Sequence, residues 1–166
     1  MQVARLNGAQ VLTTVSGDEK KAHAKTANPD CIINYKEQNV AECVLDITNG
    51  VGVDRIVEVE FGGNLQTIGK ILKSGGIIAA YGAMTVPEPV LPFYPFMFKN
   101  ITLKMFLIYG ISDTARLGVI NKIKKMEAAL THAVSQFFPL SQTQQAHEMV
   151  ESGAQIGKTV VTMEPS

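Results

Sequence analysis

The residues best suited to chemistry stand where short apolar runs give way to polar turns. Ser16 follows the run Gln10–Val15, with Lys20 and Lys21 one turn further on and Lys25 beyond them. A hydroxyl, the free amides of a helix start and the Lys20 ammonium together make a cradle for a phosphate dianion, held by charge-assisted hydrogen bonds. The same residues also read as a plain helix cap with a solvated lysine face. Asp18 competes, since its carboxylate can take a ribose hydroxyl or simply complement the helix dipole. Tyr35 ends the run Cys31–Tyr35. It can cover a flat base or bond a phosphate, and it reads equally as a half-buried aromatic. Phe61-Gly62-Gly63 and Tyr81-Gly82-Ala83 place backbone without side chains at two further run ends, where a ligand can approach closely.

Other reactive types lack partners at useful spacing. His23, His132 and His147 are scattered and fit no metal motif. Cys31 and Cys43 make neither a disulfide framework nor a four-ligand zinc site. Glu58 and Glu60 flank a strand end and read as a carboxylate pair, but no histidine or metal motif stands with them. There is no P-loop and no nucleophile elbow. Lys+Arg and Asp+Glu both number 15, and this balance argues against general affinity for nucleic acid or anionic membrane. The best apolar run, Ile101 to Tyr109, is interrupted by Lys104 and falls far short of a membrane span. Met1 leads into Gln2-Val3-Ala4-Arg5 without a signal peptide. The expectation is a cytoplasmic protein with a small-molecule substrate, no nucleic acid and no membrane.

The elements that must position these residues alternate. Gln10–Val15 is a strand rich in β-branched residues, and Ser16-Gly17-Asp18-Glu19 reads as a capping box opening a helix that Asn28-Pro29 stops. After the strand Cys31–Tyr35, Asn39 caps a helix with Val40, Cys43, Val44 and Ile47 at helical spacing. Arg55–Val59 is a strand, Asn64 caps the next helix, and Ile77–Tyr81 is the strand after it. Pro87, Pro89, Pro92 and Pro95 predict an extended loop. Ile101–Tyr109 then reads as a strand, and Ser112 or Asp113 caps a helix with Leu117, Ile120, Ile123 and Met126 on one side. A strand near Ala133–Phe138, a capping box at Ser141–Gln144, a helix ending at Gly153 and a strand Lys158–Thr162 complete the chain. Strand–helix alternation with short connections implies an α/β fold with a mostly parallel sheet. Ligands of such sheets bind at the carboxyl ends of the strands. In dinucleotide-binding folds an acidic residue after the second strand takes the ribose of NAD, whereas a small or basic set admits the 2′-phosphate of NADP. Here Ser16 occupies the strand end.

Several strings together resemble the medium-chain dehydrogenase/reductase superfamily, meaning the zinc-type alcohol dehydrogenases and their zinc-free quinone oxidoreductase relatives. They are Gly8–Ser16 with Asp18-Glu19-Lys20, Ile32–Lys36, Thr48–Asp54, Gly75-Gly76 before Tyr81-Gly82, Phe138-Pro139-Leu140, Ala146–Gly153 and Ile156–Val161. The match is to the second half of that family. It implies a doubly wound, Rossmann-like sheet that is incomplete, because the first strand and its glycine-rich loop are absent. No G-x-G-x-x-G occurs in the chain, and the family's zinc ligands would lie in parts it lacks, so no metal is expected. By resemblance, Ser16, Lys20 and Tyr35 match positions that hold the NADPH 2′-phosphate. Phe61 and Gly62 match the loop near the cofactor ribose, and Tyr81, Gly82 and Ala83 match the nicotinamide-side strand tip. Phe106 and Leu107 lie in the strand whose backbone meets the nicotinamide and which pairs across a two-fold axis in family dimers.

The resemblance further implies residues 1–132 as a partial dinucleotide-binding domain and 133–166 as a segment returning to a GroES-like catalytic domain. The implied function is the cofactor-binding part of an NADPH-dependent, zinc-independent oxidoreductase that reduces a quinone, enone or similar carbonyl by hydride transfer. No catalytic residue can be nominated. The alternatives are part of an NAD-dependent zinc-type alcohol dehydrogenase and a non-catalytic assembly module. Without a mid-sheet strand, the strands around Val11 and Ile33 would lack the neighbour joining them to those around Val57 and Ile78. A segment-swapped oligomer, a rearrangement or a longer parent protein is therefore expected, and the resemblance implies a homodimer.

Overall fold

The computed structural model describes residues 1–153 and 155–163. They form two compact units, residues 1–32 with 126–166, and residues 33–125.

The first unit opens with α1 (Gln2–Leu6), β1 (Leu12–Val15) and α2 (Asp18–Lys25), and contains the start of β2 (Cys31–Asn34), which pairs with β1. The amides of Asp30 and Cys31 both donate to the Val11 carbonyl, at 2.8 and 3.3 Å. Asp30 then fixes the strand entry with its side chain. It accepts from the Val11 amide at 2.6 Å and forms an ion pair with Arg5 at 2.6 Å. The Val11 N–H, and after it Arg5, hold the Asp30 carboxyl below the ordinary aspartate range. The capping box expected at Ser16–Glu19 does not form. Gly17, with extended backbone at φ 168°, is the N-cap, and no side chain bonds the first turn of α2. At the other end of the chain, β6 (Val134–Pro139) and β7 (Lys158–Thr162) pair in parallel through the crossover α7 (Thr143–Ser152). Phe138 and Ala146 are buried there. Here too the expected capping box is absent: Gln142 is the N-cap and no side chain bonds the first turn of α7. Gly153 ends α7 as expected, in the left-handed conformation at φ 64°.

The second unit carries α3 (Val40–Ile47), β3 (Val53–Glu58), α4 (Phe61–Ile71), β4 (Leu72–Ala80), α5 (Phe93–Phe98), β5 (Thr102–Met105) and most of α6 (Asp113–Met126). Asn39 caps α3 as expected, accepting from the amides of Ala41 and Glu42. β3, β4 and β5 form a parallel sheet in that order. Its core follows from two periodicities. Phe61, Leu65 and Ile68 recur along one face of α4, while Ile78 and Ala80 alternate along β4; with Leu72 and Phe96 they make one buried cluster. Lys99 closes the far end of α4, its ammonium donating to the carbonyls of Gly69 and Leu72 at 2.7 and 2.8 Å. Those are acceptors that a helix end leaves without partners.

Several boundaries differ from the sequence reading, and β4 begins at Leu72, ahead of the expected Ile77. The strand expected over Ile101–Tyr109 is confined to β5, and Ile108–Gly110 is a 3₁₀ turn. α4 begins at Phe61 with Glu60 as N-cap, ahead of the expected Asn64. The proline-rich loop contains α5, whose N-cap is Pro92. Proline is tolerated in a first helical turn, where the amide would be unpaired in any case. The apolar stripe of α6 exists but buries nothing; Leu117 is 60% exposed and Ile123 42%. Among the described residues no hydrogen-bond ladder joins the β1–β2 pair to β3–β4–β5, which is the interruption expected of an incomplete sheet.

Candidate functional site

The site is assembled by the carboxyl ends of β3, β4 and β5. Register places Glu58 opposite Ala80, and Ala80 opposite Met105, so the three strands end at one level. The ladder continues one step past them. Tyr81 N donates to Glu58 O at 3.0 Å, Phe61 N to Gly82 O at 2.9 Å, and Phe106 N to Ala80 O at 3.1 Å. These bonds fix the backbone from which the local side chains project.

A cavity of about 470 Å³ opens at these ends, within the range of small-molecule sites. Phe61 and Ala80, both buried, lie at its strand-end side. Tyr81, Gly82 and Ala83 line it from β4, and Met105, Phe106 and Leu107 from β5. Pro87 and Pro89 complete the lining from the loop after β4. The Tyr81 and Phe106 rings stand 5.9 Å apart, tilted by 41°, an attractive aromatic spacing. The lining is apolar apart from the Tyr81 phenol and the backbone. It is suited to the face of a flat ring and carries no carboxylate, imidazole or ammonium.

Gly82 is required by the packing itself. A Cβ on it would stand 2.4 Å from the Val59 carbonyl oxygen. Gly62 is similar, since a Cβ there would meet the Val86 carbonyl oxygen at 2.0 Å. The bare face of Gly62 is thus covered by the chain's own loop and does not line the cavity. Among the residues nominated from sequence, Phe61, Tyr81, Gly82, Ala83, Phe106 and Leu107 come together there. Tyr35 follows β2 and is 54% exposed. Ser16 and Lys20 belong to the first unit. Ser16 is half-buried at the bend before α2, and Lys20 is exposed on its first turn. The first-turn amides of α2 receive no side-chain cap, so they and Lys20 present positive potential, with Asp18 and Glu19 opposing it.

Sequence reasoning missed Ala80, Met105, Pro87 and Pro89 at the cavity, and it missed the work of Glu60. The Glu60 carboxylate accepts from the amides of Met84 (3.0 Å), Thr85 (3.1 Å) and Gly63 (3.4 Å). Hydrogen bonding from Thr85 foremost, then from the Met84 and Gly63 amides, keeps it below the ordinary glutamate range against the opposing cost of burial. The pair Glu58-x-Glu60 just before Phe61-Gly62-Gly63 was the available signal. Among the described residues no three His, Cys, Asp or Glu side chains converge.

Residues 1–125 match the family model described as zinc-binding dehydrogenase. The chain is 30% identical over 171 residues to a zinc-type alcohol dehydrogenase-like protein of Schizosaccharomyces pombe, covering 99% of this chain and 48% of that protein. It is 30% identical over 164 residues to a 2-haloacrylate reductase of a Burkholderia species, covering 95% of this chain and 49% of the relative. The crystal structure of a putative alcohol dehydrogenase from Sinorhizobium meliloti superposes with a TM-score of 0.85 at 23% identity, over 98% of this chain and 46% of that one. The chain thus spans about half the length of the curated relatives it matches.

Proposed function

The chain belongs to the zinc-binding dehydrogenase family, and from that premise we propose that it is the cofactor-binding part of an NADPH-dependent, zinc-independent oxidoreductase. The reaction is hydride transfer to a quinone, an enone or a similar carbonyl compound. The observation that carries this reading is the apolar cavity at the carboxyl ends of β3, β4 and β5, with Tyr81, Phe106 and Leu107 on its lining. A crevice at that end of a parallel sheet is where such folds take their ligands. The name of the 2-haloacrylate reductase relative, an enzyme on an activated alkene, supports the substrate class.

NADPH, when bound, supplies the hydride. The chain's own residues bind and orient. Ser16, Lys20 and the uncapped amides of α2 take the 2′-phosphate. Tyr35 covers the adenosine end. Tyr81, Gly82 and Ala83 form the nicotinamide-side tip, and Phe106 and Leu107 exclude water beside it. The Tyr81 phenol is the one side-chain hydroxyl on the cavity lining among the described residues. No other lining side chain can deliver a proton to product. Ser16 in place of an acidic residue argues against NAD as the cofactor. Residues 133–166 are read as the segment returning to the catalytic domain of the parent enzyme. Among the described residues β5 pairs with β4 alone, and its free edge supports the homodimer expected from the resemblance.

The test is a titration of the chain with NADPH and NADH at low salt, followed by cofactor fluorescence. Saturable binding with NADPH the tighter ligand is expected. Equal affinities would remove the 2′-phosphate assignment, and no binding of either at millimolar concentration would overturn the cofactor-binding role.

A further inference from the structure

The loop after β4 forms one wall of the cavity, through Ala83, Pro87 and Pro89, yet little secures it. Residues 83–91 lie outside every helix and strand. Among the described residues, their hydrogen bonds all run to one side chain. Met84 N donates to Glu60 Oε2 at 3.0 Å, and Thr85 N is shared between both carboxylate oxygens at 3.1 Å each.

Glu60 is itself held in place. Its amide donates to Glu58 Oε1 at 2.7 Å, and the same oxygen accepts from the Asn64 side-chain amide at 3.1 Å. The first turn of α4 is shaped to receive the loop. Gly63 lacks the Cβ that would stand 2.8 Å from Thr85 Oγ1, and Gly62 lies beneath Val86. The N-terminus of α4 is therefore filled internally, by Glu60 and the loop it retains, and is not left for a ligand phosphate.

We propose that Glu60 is a positioning residue: a carboxylate latch that holds the Ala83–Pro89 loop against α4 as the wall of the cavity, and so sets the affinity for the group bound there. Its effect on binding rests on the reading of the cavity as the nicotinamide-side site, whereas the latch itself does not. Hydrogen bonding keeps Glu60 ionised well into the acidic range, so the latch stays closed at neutral pH.

A latch must be separated from a plain helix cap, because Glu60 also accepts from Gly63 N. Glu60→Asp does this. Aspartate caps a helix well, but its side chain is one methylene shorter and withdraws from Met84 and Thr85. Glu60→Gln keeps the length, loses the charge, and turns an amide NH₂ toward two N–H donors.

The experiment is amide hydrogen exchange on the ¹⁵N-labelled chain, with the Ile78 amide in β4 as the control for global unfolding, together with NADPH titration. Met84 and Thr85 should exchange at least about tenfold faster in both variants, with Ile78 unchanged in Glu60→Asp. NADPH should bind about fivefold or more weakly. Unchanged exchange at Met84 and Thr85 would overturn the latch. A freed loop with NADPH affinity at the wild-type value would overturn its role in binding. Failure of the wild-type chain to bind NADPH would count against the proposed function alone, and the exchange data would still decide the latch.

Discussion

Gly82→Ala will collapse the strand-tip cavity and lower the stability of the chain by at least about 3 kcal/mol in a denaturant titration. The added Cβ would stand 2.4 Å from the Val59 carbonyl oxygen, well inside van der Waals contact. The Cβ position is set by the backbone and the carbonyl is itself backbone, so no rotamer change relieves the overlap. The strand ends would have to separate, at the cost of the bond from Phe61 N to Gly82 O. Phe61 belongs to the buried cluster with Leu65, Ile68 and Ile78, so displacement there reaches the core. Gly118→Ala is the control. It lies in α6, where an added Cβ would have nothing within 4 Å, and alanine there should stabilise by about 0.5–1 kcal/mol through helix propensity. If Gly82→Ala melted with the wild type, the close approach of the β3 and β4 ends would be disproved.

The second large effect is on cofactor choice. Lys20→Ala should weaken NADPH binding about tenfold at low salt and leave NADH nearly unchanged, because a hydrogen bond to a charged group contributes about 1.5–3 kcal/mol. Lys20 is exposed, so solvent screening places the effect at the lower end of that range and salt should shrink it further. Asp18 and Glu19 oppose an anion at the same helix start. Asp18→Asn should therefore move NADPH affinity in the opposite direction. Equal losses for both cofactors in Lys20→Ala would place the lysine near a phosphate they share and away from the 2′ position.

Local patterning makes much of this legible. The periodicity of α3 with its Asn39 cap and the glycine ending α7 are readable, because each depends on neighbours a few residues away. Some misreadings are local, and others arise where a distant contact decides. Ser16–Glu19 has the letters of a capping box, but extended Gly17 takes the cap. Four prolines within nine residues hide α5, whose Pro95 falls in the first turn where no amide is missed. Glu60 looks like half of a carboxylate pair. Its partners are the amides of Met84 and Thr85, more than twenty residues away, and no spacing rule points there. The α6 stripe has the right period and still buries nothing, because periodicity says which residues share a face and not what covers it. Gly62 reads as an opening for a ligand, whereas the Thr85–Val86 segment fills that space.

On the proposed function, the ends of β3, β4 and β5 take the nicotinamide end of the cofactor. The most direct measurement is mapping of amide chemical shifts on the ¹⁵N-labelled chain during NADPH addition. Saturable shifts are expected at Tyr81, Gly82, Ala83, Phe106 and Leu107, with a second group at Ser16–Lys20 that is absent when NADH replaces NADPH. Saturable binding that left the strand-tip amides unmoved would contradict it, and the cavity would then have to be given up as the cofactor site.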